Sequence, residues 1–468
     1  MKMVKSLLLG SAAGFVAMAG AQAADLPVKA TPVQYVKICS LYGAGFFYIP
    51  GTDTCIKIGG FIRAEVNVNA HNSFNPIVSG GDARFNRNSD TVNWRARGVV
   101  TFDTRSQTEY GTLRSYIAIG EQANNGASGS SIGTYSNRMF IQWAGFTAGL
   151  ASSYFDFYVT PRYSNTTNIL GSDTGGSGDM VFAYTAQLGN GLSATLSAEN
   201  PDARRTAIYK AGTAISPLGT VTDSYAGLNG WPDIVANLRI DQAWGSAQIM
   251  GAVHQVAANY YGATEGTGHP DDKLGWAVGA GLKLNSPWAK GDSFTAQVTW
   301  AQGALSYVGS GLGGFAIYNG ADVGVGYVTD AVYSPAGGDL ELTEGWSVVA
   351  GADHHWSSQW KTSLYGGYGA INYNGTATSL LNLTVCGTAA CGGLGPDFSF
   401  WQIGTRTVWT PVKNLDLSVD VLYNRLQTSY DGATAVLAPG GGKPTGPYHV
   451  SDQDVWQVMF RAQRNFWP

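Results

Sequence analysis

The sequence predicts an all-β protein, a transmembrane antiparallel β-barrel of sixteen strands. Three observations predict it. Long segments alternate apolar and polar residues with a period of two. Short and long connections alternate between those segments. After the N-terminus, no apolar run reaches the roughly 18 residues that a membrane helix needs. Composition agrees. Of 468 residues, 13% are charged, 44% are hydrophobic, 12% are aromatic and 63 are glycine. Charge is about half its usual share, and glycine about twice its roughly 7% average. The aromatics exclude disorder, and the lack of a three-residue glycine period excludes collagen. A net charge of −4 gives no basic surface for nucleic acid. The mean hydropathy of −0.05 fits a soluble protein and also a membrane barrel, half of whose strand residues face water.

The N-terminus sets the compartment. Lys2 and Lys5 precede LLLGSAAGFVAMAG and the small-x-small site Ala21-Gln22-Ala23. This reads as a secretory signal peptide over 1–23. Cleavage after Ala23 leaves 445 residues (468 minus 23) and a charge of −6, because two lysines and no acids are lost. Residues 24–55 are expected to form an N-terminal periplasmic segment, and 56–468 the barrel. Four cysteines stay in the exported part. Cys39 and Cys55 bracket a Gly/aromatic stretch, and Cys386 and Cys391 enclose four small residues. Export and proximity favour two local disulfides. Zinc is the competing idea, but no histidine stands at ligand spacing near either pair.

The first strand is the clearest. Even positions from Ile56 to Ala70 are mostly apolar; odd positions carry Lys57, Arg63, Glu65, Asn67 and Asn69. Neighbours on a strand point to opposite faces, so this is a two-faced strand. The pattern recurs from Val92 and again from Trp456. Further candidates fall near 109–120, 134–144, 145–155, 180–189, 191–200, 233–242, 246–258, 273–285, 293–304, 343–356, 359–373, 398–410 and 414–427, sixteen in all. Seven short turns, such as Leu188-Gly189-Asn190-Gly191, alternate with eight long loops rich in Gly, Ser, Thr and Asn. Outer-membrane barrels pair short periplasmic turns with long extracellular loops. Trp244, Trp288, Trp360 and Trp409 lie in or beside four short turns, where an aromatic girdle is expected. Scattered packing in a soluble core is the competing account.

Sixteen strands leave an aqueous channel. Arg63, Arg95, Arg97, Arg114 and Arg138 fall on polar faces of the first four strands. They are expected to form a basic wall; ordinary charged positions balanced by neighbours such as Glu65 are the alternative. The connection after the fifth strand contains Asp156, Asp173 and Asp179. If it folds into the lumen, its acids face the arginines and set up a transverse field. The same stretch also reads as an ordinary exposed loop.

The segments VKICSLYGAGFFYIPGTDTCIKIGGFIRAE, QTEYGTLRSYIA, RMFIQWAGFTAGLASSYFD and FRAQRNF resemble the alphaproteobacterial porin family, which includes the major porins of brucellae and rhizobia. The resemblance spans the mature chain. It implies a homotrimeric, sixteen-stranded general-diffusion porin of the cell outer membrane. A pore-constricting loop over about residues 153–179 follows strand five. It also implies that Arg63, Arg95, Arg97 and Arg114 form the basic wall. Its partners would be outer-membrane lipid and lipopolysaccharide, the assembly machinery and small hydrophilic solutes. Such porins end in a phenylalanine that the machinery reads; here Phe466 is followed by Trp467 and Pro468.

No catalytic set or metal site emerges. His354 and His355 are adjacent, hence on opposite faces, and no H-E-x-x-H, G-x-S-x-G or P-loop motif occurs. The reading is therefore a passive, water-filled channel for small hydrophilic solutes and ions, without enzyme activity or cofactor. Two alternatives stay open. One is a solute-specific channel for a sugar or organic acid, whose ladder would start at Tyr116 and Phe140. The other is an adhesin-like barrel with a closed lumen.

Overall fold

The computed structural model describes residues 37–466 except 70–83, 90, 127–128, 167–169, 176–177, 214, 216–220, 222, 228–229 and 311, and omits the side chains of 126–137. The predicted signal peptide and the terminal Trp467-Pro468 lie outside the described residues. Sixteen antiparallel strands close on themselves. They are β1 (Cys55–Val68), β2 (Val92–Thr108), β3 (Gly111–Gly126), β4 (Gly129–Trp143), β5 (Phe146–Ala151), β6 (Asp179–Gly189), β7 (Leu192–Glu199) and β8 (Asp233–Gln242). Then come β9 (Gly245–Val256), β10 (Lys273–Asn285), β11 (Ser293–Gln302), β12 (Glu344–His355), β13 (Trp360–Asn372), β14 (Phe398–Val412), β15 (Leu415–Gln427) and β16 (Gln453–Asn465). Consecutive strands pair, and β16 pairs with β1 from Phe61↔Asn465 to Val68↔Val458, so no edge is left unpaired.

The period of two decides the faces. On β1, Ile58 and Ile62 are exposed while Glu65 and Asn67 are buried. On β2, Trp94 and Val100 are exposed while Asn93, Val99, Thr101 and Asp103 are buried. Exposed aliphatics and aromatics therefore cover the outside, and the charged residues turn inward, the arrangement that lipid around and water within require.

Two aromatic girdles border the apolar band. At the short-turn end stand the expected Trp244, Trp288, Trp360 and Trp409, all exposed. Trp360 and Trp409 stack at 5.7 Å across β13 and β14. At the long-loop end a second girdle contains Trp401, Tyr423 and Trp456, in contact at 5.1 and 4.8 Å. Trp401 and Trp409 are eight residues apart on β14. That is ~27 Å along a strand, or about 20 Å along the axis at a ~40° tilt, close to the band expected for such barrels.

The turns explain their sequences. Asn190 and Gly191 join β6 and β7 with φ of 49° and 75°. Both lie in the left-handed region, which a two-residue hairpin of this hand requires and Asn-Gly supplies. One expected long loop is corrected. β3 runs to Gly126 and β4 starts at Gly129, so 121–133 is mostly a continued hairpin. Its Gly, Ser and Thr content reads as loop, but cross-strand pairing accommodates it.

The other long loops have structure of their own. Residues 315–319 and 322–326 form a hairpin extended by 446–450 and 434–437, with Arg84–Phe85 on its other side. Phe315 packs on the inward Phe398 and Phe400 at 5.4 and 5.3 Å. A helix, α1 (Gly375–Cys386), is capped by Asn374, whose side chain accepts the Ala377 N–H at 2.9 Å. Both disulfides form: Cys39–Cys55 ties the N-terminal ribbon to β1, and Cys386–Cys391 closes the turn after α1.

Candidate functional site: a lumen divided by the β5–β6 loop

The connection 152–178 does not leave the barrel. It crosses the lumen and packs on inward faces of β8 to β16. Its aromatics Phe155, Tyr158 and Tyr163 are fully buried. Backbone N–H of Tyr158 donates to Gln297 on β11 at 2.8 Å. Tyr163 Oη bonds Thr295 at 2.7 Å. At the loop tip, Asn165 N–H donates to Asp420 on β15 at 2.5 Å. Arg461 on β16 donates to the Asn165 carbonyl at 2.6 Å. Arg406 on β14 donates to the carbonyls of Pro161, Arg162 and Ser164.

Glycines on the inner wall make room for these rings. A Cβ on Gly281 of β10 would lie 2.2 Å from Phe157, and one on Gly351 of β12 would lie 2.6 Å from Tyr163. A Cβ on Gly369 of β13 would lie 2.6 Å from Leu170. At these positions glycine serves space rather than turning: the missing side chains form the seat of the loop.

A buried knot fixes the loop root. Arg204, fully buried in the β7–β8 loop, pairs with Asp156 at 3.0 Å. It also donates to the carbonyls of Ser172 and Ser306 at 3.0 and 3.3 Å, and lies 4.5 Å over the Tyr307 ring. Three loops therefore meet on one guanidinium. Burial pushes the Asp156 carboxyl up to about 6 against the pull of Arg204. Beside it, Tyr307 Oη donates to Asp233 at 2.7 Å, and the other Asp233 oxygen bonds His254 Nδ1 at 2.7 Å.

The expected acids have local partners in the loop or lie on the strand that follows it. Asp156 accepts from Thr174 and Arg204, and Asp173 accepts the N–H groups of Thr160 and Gly175. Asp179 belongs to β6 rather than the loop and is buried. The turns in the loop have orphan N–H groups, and Asp156 and Asp173 satisfy them.

The five expected arginines separate into three groups. Arg63, Arg95 and Arg97 come together on β1 and β2, where Arg63 is the cross-strand partner of Arg97. Their centre is Glu65, whose side chain is buried. Arg95 reaches it at 2.5 Å, Arg461 at 2.5 Å and Arg63 at 3.9 Å. Arg97 donates to Gln122 on β3 at 2.7 Å. Arg114 lies closer to the short turns, bound to Asp103 at 3.0 Å together with Arg105. It also sits 5.2 Å over each ring of the stacked pair Tyr116 and Phe140. Arg138 donates to Ser152 Oγ and to the Gly175 carbonyl, both at 2.9 Å, at the loop root. Sequence reasoning missed Arg406, Arg461 and Arg204; the first two stand on inward faces that the period of two would have assigned.

His354 Nδ1 lies 2.7 Å from Asp292 and the His355 N–H donates to the same carboxylate at 3.0 Å. Among the described residues, no group of three or more His, Cys, Asp or Glu is placed to hold a metal.

A closed barrel with an apolar outer band, two aromatic girdles and a charged interior is an outer-membrane channel. Comparison with known proteins agrees. A family model described as the Porin subfamily matches residues 25–459, and the chain belongs to that family. It is 32% identical over 326 residues to porin Omp2b of Brucella suis, covering 60% of this chain and 81% of that protein. Porin Omp2b of Brucella abortus (strain 2308) is 33% identical over 311 residues, with the same coverage. Among solved structures, the outer membrane channel DcaP of Acinetobacter baumannii superposes with a TM-score of 0.57 at 15% identity, over 90% of this chain and 99% of that one, a likeness of fold. The protein is an outer-membrane porin that forms a diffusion channel.

Proposed function

We propose that the channel is a general one, narrowed by the β5–β6 loop, through which small hydrophilic solutes and ions diffuse passively. The observation that carries this is the loop's course. It lies along β8 to β16, and the free side of the lumen is then the wall of β1 to β3 with Arg63, Arg95, Arg97 and Arg114, while Arg138 on β4 holds the loop root. Size is set by the gap between loop and wall, and charge preference by the groups around it. The functional unit is a homotrimer in outer-membrane lipid and lipopolysaccharide, inserted by the assembly machinery. Residues 24–55 form the N-terminal periplasmic segment, a reading supported by the start of β1 at the short-turn end.

A solute-specific channel has one observation in its favour, the Arg114–Tyr116–Phe140 stack. The next inward positions across β5 and β6, Gly149 and Val181, carry the ladder no further. Deletion of residues 160–175 tests the proposal. Single-channel conductance is expected to rise. Unchanged conductance in a folded protein would mean that the loop does not narrow the path.

A further inference from the structure

The lumen carries a second set of cations, away from the expected wall. Arg162 stands in the β5–β6 loop and is exposed. Its Nε donates to Ser293 on β11 at 3.0 Å, which anchors the side chain toward the short-turn end. Lys283, near the end of β10, lies in electrostatic reach of Arg162 and Arg239. Lys361, near the start of β13, lies in reach of Arg162 and Arg406. Arg239 on β8 is 5.3 Å from the ring of loop residue Phe157. Lys283, Lys361 and Arg239 are on the inward face, because their cross-strand partners are Thr295, His355 and Gln248.

The local acids do not balance this set. Asp241 pairs with Arg239 at 2.7 Å. Asp353 is buried and accepts both the N–H and the Oγ–H of Ser293 at 2.7 Å, with Lys361 at 3.8 Å. Asp416 is in electrostatic reach of Lys361 as well. Four cations therefore face three carboxylates, a local excess of one positive charge. Lys283 makes no hydrogen bond or ion pair among the described residues, and Lys361 only the long contact. These side chains are partly water-accessible on an inward face, so the water they meet is that of the lumen.

We infer that Arg162, Arg239, Lys283 and Lys361 form a shelf beneath the loop that binds small multivalent anions, and that it makes the channel prefer anions. The inference rests on the open-channel reading above. An anion passing the Arg63–Arg95–Arg97 cluster meets these cations next, before the periplasmic mouth. Lys and Arg donors suit an oxyanion, whose several acceptor oxygens each take a charge-assisted hydrogen bond. Walls of one sign concentrate their counter-ion in a cleft. The chain's overall charge of −4 does not oppose this, because acids farther than a Debye length of about 10 Å are screened.

The test is a planar-bilayer measurement of reversal potential in a KCl gradient, with inorganic phosphate then added as probe. The wild type is expected to reverse on the chloride side, and phosphate to reduce the chloride current. In K283Q/K361Q the phosphate block is lost and the reversal potential moves toward the potassium side. R162Q, which leaves the barrel wall intact, moves both readouts the same way. K290Q, in the β10–β11 turn, changes neither. Ohmic steps that reverse on the potassium side, or a phosphate block unchanged in K283Q/K361Q and R162Q, overturn the shelf while leaving the open channel standing. Absence of any current from folded protein overturns the channel reading itself, and the shelf with it.

Discussion

Arg204 fixes the root of the β5–β6 loop from a single residue. From the β7–β8 loop it joins Asp156 and Ser172 of the β5–β6 loop to Ser306 of the β11–β12 loop in a buried site. Removing one partner of a buried pair costs about 3–5 kcal/mol, because the other charge is left uncompensated. Arg204→Gln is therefore expected to free the loop root without opening the barrel. Trypsin should then cut after Arg162 faster than in the wild type, while the folded band in unheated electrophoresis persists; equal cutting would mean the knot does not hold the loop. Asp292 gives a pH signature. Its bond with His354, and then the His355 N–H, hold its carboxyl below the usual carboxylate range. A depressed folded value means that this clasp contributes fully above the unfolded value of about 3.9 and is lost as pH falls through the lower folded one. Trp288, in the same turn, reports it: its fluorescence should be flat from neutral pH to about 5 and change only below about 4. A change near pH 6 would contradict the assignment. Neither contact was legible in sequence, since Arg204 and Asp156 are 48 positions apart and their meeting depends on how two loops fold.

The strands were legible for a simple reason. Each carries its own record of two environments, so β1, β2 and β16 could be read without knowing their neighbours. The same holds for the turn-side tryptophans. What stayed hidden was the use of the inward glycines. Gly281, Gly351 and Gly369 look like weak points in a strand pattern, but each faces a buried side chain of the loop. That complementarity joins positions far apart in sequence, and periodicity does not report it. Gly351→Val is expected to push Tyr163 from its seat, because the added Cβ would lie 2.6 Å from the ring. Its conductance should rise toward that of the loop deletion. Wild-type conductance in a folded G351V protein would mean that the ring shifts within its seat and the loop stays.

For the whole molecule, closure was implied by an even strand count and alternating connections, and β1 pairing with β16 completes it. The distribution of charge was legible only in part. The period of two assigns Arg63, Arg95, Arg97, Arg114 and Arg138 to polar faces, yet it does not reveal that Glu65 gathers Arg63, Arg95 and Arg461 around one carboxylate. Arg461 is 396 positions from Glu65 and becomes its neighbour only because the barrel closes. The same closure that seals the wall from lipid thus builds the cluster around Glu65. The central claim is that this lumen conducts past the loop. Single-channel current through purified protein in a planar bilayer tests it most directly. Large, ohmic steps arriving in groups of three are the predicted result. Absent or minute steps from folded, heat-modifiable protein would contradict it and point to a barrel whose loops close the path.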